Sequence, residues 1–166
     1  MKITKSVRCV SILTLTLLLV FVMSGCKGNQ AEENWEKETT SVMNSITTDQ
    51  TEFNTALAAI QPGDTASQTA MLNAIDKLEG DFKKLKEIQA PEKYQSVQGE
   101  FNTAVDKALE GTAAFREMAN NLGDGGDLTI ISNKLSEGQT TYADFLTLWQ
   151  TAVDHLSEVV DGGSSK

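Results

Sequence analysis

The 166-residue sequence predicts an all-α fold, an up-down-up-down antiparallel four-helix bundle, and three observations carry that expectation. Apolar side chains recur at steps of three and four through four long segments, the pattern of a helix with one buried face. The only two prolines, Pro62 and Pro91, both fall between those segments. The joints are short, so consecutive helices should run antiparallel.

The first helix is expected from about Glu32 to Ile60. Its stripe is Thr39, Val42, Ile46, Asp49, Phe53, Ala56 and Ile60, and Asn29 with Glu32 offers a capping box. The turn-forming run Gln61-Pro62-Gly63-Asp64 ends it. The second helix is expected from about Ala66 to Ile88, with Asp64 as N-cap or Thr65 and Gln68 as an alternative capping box. Met71, Ile75, Leu78, Phe82 and Leu85 form its stripe, flanked by Leu72 and Ile88.

The third helix should run from Pro91 to Leu122, because proline is tolerated in a first turn and disfavours helix at the preceding Ala90. Its stripe is Tyr94, Val97, Phe101, Ala104, Ala108, Gly111, Phe115, Met118 and Leu122, and Gly123-Asp124-Gly125-Gly126 stops it. The alternative is one long helix kinked at Gln89-Ala90-Pro91. The fourth helix should run from the N-cap Asp127 to about Val160. Leu128, Ile131, Leu135, Gly138, Tyr142, Phe145, Trp149, Ala152, Leu156 and Val159 line it at heptad spacing. Helices of this size are roughly 35–50 Å long and pack with a left-handed twist.

Ahead of the bundle, Lys2, Lys5 and Arg8 precede a 14-residue apolar stretch, Val10 to Met23, which ends in Ser24-Gly25-Cys26. A basic segment, an apolar segment and small residues read as a secretory signal peptide. The stretch is shorter than the about 20 residues of a membrane span. The run Leu19-Val20-Phe21-Val22-Met23-Ser24-Gly25-Cys26 resembles the lipobox of bacterial lipoproteins, with Met23 where leucine is more usual. The resemblance implies cleavage before Cys26 and a diacylglyceryl group on its sulfur. Two acyl chains suffice for stable anchoring. The expected organisation is thus signal peptide over 1–25, lipidated Cys26 and tether over 26–31, bundle over 32–161 and disordered tail over 162–166. Six tether residues reach about 20 Å, which keeps the bundle near the lipid. The implied address is extracytoplasmic and lipid-anchored. In a Gram-negative host it would be open to the outer membrane, since Lys27 is not the aspartate that retains lipoproteins at the inner one.

None of the 23 acidic residues precedes Cys26, whereas three of the 14 basic ones do, so the mature chain would carry a net charge of −12. Such a surface argues against nucleic acid and against anionic headgroups as partners. Cys9 lies inside the signal, so a lipidated Cys26 would leave the mature domain no thiol for disulfides, zinc ligation or nucleophilic catalysis.

The stretch Leu85-Lys86-Glu87-Ile88-Gln89-Ala90-Pro91-Glu92-Lys93-Tyr94, followed by Phe101, Ala104 and Ala108, is similar to a class of small helical lipoproteins, mostly of Gram-positive bacteria. In these one helix ends in L-x-x-I-x-x-P and the next begins at the proline. The resemblance implies a helical, non-enzymatic extracytoplasmic domain and brings no functional residue beyond Cys26.

No phosphate-binding loop, H-E-x-x-H, C-x-x-C-H or G-x-S-x-G motif occurs, and His155 is the only histidine. No catalytic residue, metal ligand or cofactor is therefore expected. Haem held by Met43 and His155 would need both on the core stripes, and each sits one step off. Gly111 and Gly138 are the more specific clue. The antiparallel topology sets them at one level with Ala56 and Thr69-Ala70, and glycine inside a helix costs about 1 kcal/mol relative to alanine. They predict close backbone approach, or Tyr142 and Phe115 filling the space, or alternatively a ligand pocket at Gly111, Gly138 and Tyr142. Gly80 and Gly99 should meet across the second turn. Trp35 and Trp149 are expected in the core, Trp149 level with Phe101, Phe82 and Ile46. The expected role is a non-enzymatic interaction or structural module with an envelope partner, and the alternative is a small-ligand-binding or sensing bundle.

Overall fold

A computed structural model describes residues 29–123 and 126–162 of the chain. The expected signal peptide, Cys26 and the tail beyond Gly162 lie outside the described residues. Four helices follow one another: α1 (Gln30–Ala58), α2 (Thr65–Glu87), α3 (Gln95–Asn120) and α4 (Leu128–Gly162). They form the expected antiparallel four-helix bundle.

The helix ends follow local chemistry. Asn29 caps α1 by accepting from the backbone amides of Ala31 and Glu32, and its Nδ2 donates to Glu32 Oε1 at 3.0 Å. The cap is reciprocal, as expected, but it runs through the amide side chain. The helix thus starts at Gln30 and takes up part of what was expected to be tether. Asp64 caps α2; the alternative box is not formed, because Gln68 reaches across to Asn120 O. Between α1 and α2, Asp64 N donates to Gln61 O at 3.1 Å, closing a tight turn with Pro62 and Gly63 at its centre. Gly63 has φ 84°, a conformation that glycine adopts without a Cβ penalty. Its amide donates to Leu122 O at 2.7 Å, tying together the two turns at that end of the bundle.

The joint at Pro91 is a hairpin, but α3 does not begin there. Glu92–Tyr94 form a 3₁₀ turn and α3 starts at Gln95. This turn brings Tyr94 flat against Trp35 of α1, with ring centroids 4.3 Å apart. Trp35 Nε1 donates to Gln98 Oε1 at 3.0 Å, and Gln98 Nε2 donates to Leu85 O at 2.9 Å. The Tyr94 hydroxyl donates to Glu36. Trp35 is thus core, and it locks the start of α1 to the α2–α3 joint.

The stripes of α2 and α3 are buried as expected. On α1 the buried face keeps Thr39, Ile46 and Phe53 but is turned so that Trp35, Met43 and Gln50 also face inward, while Val42 and Asp49 are only half-buried. Trp35 decides this, because seating its ring on Tyr94 sets the rotation of the whole helix. On α4, Leu128 is 66% exposed and not core, because it sits in the first turn beyond the shelter of neighbouring helices. An aromatic series fills the centre. Phe53 packs on Phe115 and Tyr142, Phe82 on Phe145, and Trp149 on both Phe101 and Phe145.

The bundle is asymmetric. The α3 and α4 backbones approach most extensively, whereas those of α1 and α4 scarcely approach and meet through side chains such as Phe53 and Tyr142.

Candidate functional site

On the solvent side, α1 and α2 flank a shallow, open polar groove of about 670 Å³. Asn44, Ser45, Thr48 and Asp49 form one wall and Gly80 and Asp81 contribute to the other. The spacing follows helical periodicity: residues three and four apart share a face. The rotation of α1 that buries Met43 and Gln50 turns Asp49 out of the core and into this groove. Gly80 leaves the floor open, since a Cβ there would meet nothing within 4 Å.

The groove is rich in acceptors. Ser45 Oγ donates to Ser41 O and Thr48 Oγ1 donates to Asn44 O, so both hydroxyl protons are used along α1 and the oxygen lone pairs stay available. Asp81 is 6% exposed, and its Oδ1 takes the Lys84 ammonium at 2.6 Å. Lys77 pairs with Glu52, and Asp76 pairs with Arg116 at 2.8 Å. Asp49 has no ion pair among the described residues. Partial burial pushes its carboxyl above the ordinary aspartate value, and the facing Asp81 charge, with which it shares a hydrogen bond, pushes the same way.

The residues singled out in the sequence fall elsewhere. Gly111, Gly138 and Tyr142 do come together, at the α3–α4 contact. A Cβ on Gly138 would lie 2.9 Å from the Phe115 ring, and one on Gly111 would lie 3.3 Å from Tyr142 N. The space at these glycines is therefore taken by Phe115 and Tyr142, and the two glycines serve close helix approach. Thr69 and Ala70 are exposed and do not join this layer. Tyr142 is buried with its hydroxyl unpartnered, and desolvation pushes that phenol well above its ordinary range. Gly80 and Gly99 do not meet, as neither has an atom within 4 Å of a Cβ position.

Met43, expected one step off the core stripe, is core at 4% exposure. The His155 ring lies 2.9 Å from Glu100 Oε1 on α3, half-buried. Among the described residues no group of three or more His, Cys, Asp or Glu side chains is arranged to hold a metal ion. Nor, among them, is any helix long and apolar enough to cross a membrane.

The fold and groove define a helical bundle with a polar cleft between its first two helices. No known protein family matches the chain, and neither a characterised protein nor a solved structure gives a match. Sequence reading missed the groove, although two signals pointed to it. Asp49 stood among the mostly apolar residues of the α1 stripe, and Gly80 stood inside a helix, where the expected contact with Gly99 does not form.

Proposed function

We propose that this chain is an extracytoplasmic lipoprotein, anchored through Cys26, whose bundle acts by binding and not by catalysis, with an envelope partner. The observation that carries the reading is the run Leu19–Cys26 placed directly before the bundle. The helix start at Gln30 supports it: only Lys27, Gly28 and Asn29 separate Cys26 from α1, a reach of about 10 Å. That spacing would hold the end of the bundle bearing Trp35, the 3₁₀ turn and the C-terminus of α4 at the lipid surface. Metabolic labelling with an alkynyl fatty acid tests this. The wild-type chain should take the label and sediment with membranes, and Cys26→Ala should lose both. A labelled, membrane-bound Cys26→Ala protein would overturn the anchor.

The α1–α2 groove favours a second reading, a bundle that binds a small ligand. This moves the expected ligand site from Gly111, Gly138 and Tyr142, where side chains fill the space, to a cleft that is open.

A further inference from the structure

We infer that the bundle opens along the seam between α1 and α4. In the open form α1 swings out from Thr39 onward, while α2, α3 and α4 stay packed. This motion is independent of the lipid anchor and of the groove.

Unmet hydrogen bonds single out this seam. Six polar or charged side chains are buried among the described residues, and the four on α2 and α3 are all satisfied. Ser67 donates to Asp64 O, Asp81 holds Lys84, Gln98 joins Trp35 to Leu85 O, and Thr112 donates to Leu109 O. The two on α1 are not. Thr39 Oγ1 and both amide atoms of Gln50 have no partner among the described residues. From α4, the buried Tyr142 hydroxyl and Trp149 Nε1 are unpartnered as well. Tyr142 lies against α1, its ring stacked on Phe53 at 5.8 Å, and Trp149 follows two turns on along the same side of α4. The one other orphan atom, Glu100 Oε2, belongs to a carboxylate whose second oxygen meets His155. A buried donor or acceptor without a partner is costly, and exposure to water repays that cost. Opening between α1 and α4 repays it at both walls together.

The links between helices point to the same seam. Lys77–Glu52 bridges α1 to α2, Lys86–Asp106 bridges α2 to α3, and Lys134–Glu117 with His155–Glu100 bridges α3 to α4. Among the described residues no hydrogen bond or ion pair joins α1 to α4, and their backbones scarcely approach. Gly111 and Gly138, by contrast, draw α3 and α4 together. Trp35, stacked on Tyr94 and bonded to Gln98, holds the start of α1 and serves as the pivot.

Thiol labelling under native conditions tests the opening on the full chain, purified in detergent. Val153→Cys reports on the seam from α4, since Val153 shares the α1-facing side of that helix with Tyr142. Thr39→Cys reports on it from α1. Ala152→Cys is the control: it is buried on the same turn of α4 but on the flank of His155, which faces α3. Peptide mass spectrometry reads each introduced site separately, and circular dichroism melts check that each variant is folded. Val153→Cys and Thr39→Cys should each label at least about tenfold faster than Ala152→Cys, as expected for a local opening. Their rates should change little in low urea, because a local opening exposes little surface, whereas the Ala152→Cys rate should climb steeply. Equal rates at Val153→Cys and Ala152→Cys would show that the end of α4 frays or that the whole bundle unfolds, and would overturn the seam. Steep urea dependence at both Thr39→Cys and Val153→Cys would overturn it too.

Discussion

Gln50 and Asp49 are neighbours on α1 that meet opposite fates. Gln50 points into the core at 2% exposure, and neither its amide nitrogen nor its amide oxygen has a hydrogen-bond partner there. An unsatisfied buried amide is costly, so Gln50→Leu should raise stability by about 1–2 kcal/mol in a denaturant titration. Asp49 faces the groove with its carboxyl pushed above the ordinary value, chiefly by burial and by Asp81. The folded state therefore holds this proton more tightly than the unfolded chain does. Below the unfolded value both states are protonated and nothing is lost. As pH rises from there through the raised folded value, ionising Asp49 in the fold costs stability, and the loss is complete above it. Asp49→Asn should thus raise the melting temperature at about pH 7, with the gain fading as the pH is lowered through the carboxylate range. A gain that grows on acidification would show that Asp49 is stabilised by its surroundings instead.

At the scale of helices, glycine positions separate packing from propensity. Gly138 lets α4 approach α3 until the Phe115 ring lies 2.9 Å from where a Cβ would be. That ring is wedged between Phe53 and Tyr142 and cannot swing away. Gly138→Ala should destabilise the fold by about 1–3 kcal/mol, outweighing alanine's better helix propensity. Gly99 sits on an open face of α3 with nothing near, so Gly99→Ala should stabilise by about 1 kcal/mol. Equal responses at the two positions, measured by chemical denaturation, would contradict the close α3–α4 contact. Trp35 couples elements in the same way: its ring stacks on Tyr94 and its Nε1 donates to Gln98. Trp35→Ala should cost about 3–5 kcal/mol, and amide exchange should rise first at the start of α1 and around the 3₁₀ turn.

For the whole molecule, the reading that matters is which end of the bundle meets which surroundings. The start of α1, the α2–α3 joint and the end of α4 share one end, and the turns around Gly63 and Leu122 share the other. If Cys26 carries a lipid, the first end lies at the membrane and the α1–α2 groove opens sideways, reachable by molecules moving along the surface. The mature chain's net charge of −12 would hold the rest of the bundle off anionic headgroups.

The four helices, their caps at Asn29, Asp64 and Asp127, and the stripes of α2 and α3 were legible in the linear sequence. Helical period, turn chemistry and capping act over a few residues, and no distant contact is needed to read them. The rotation of α1, the role of each glycine and the groove were not legible. Those depend on a few tens of degrees of helix rotation and an ångström of separation, which are set by how large rings nest across helices. Trp35 on Tyr94 turns α1 so that Gln50 goes inward and Asp49 outward. Phe115 against Gly138 draws α3 and α4 together, while Gly80 leaves open space beside the α1–α2 groove. Local pattern thus specifies a four-helix chain, and only packing between distant side chains decides which of its faces is left open to bind.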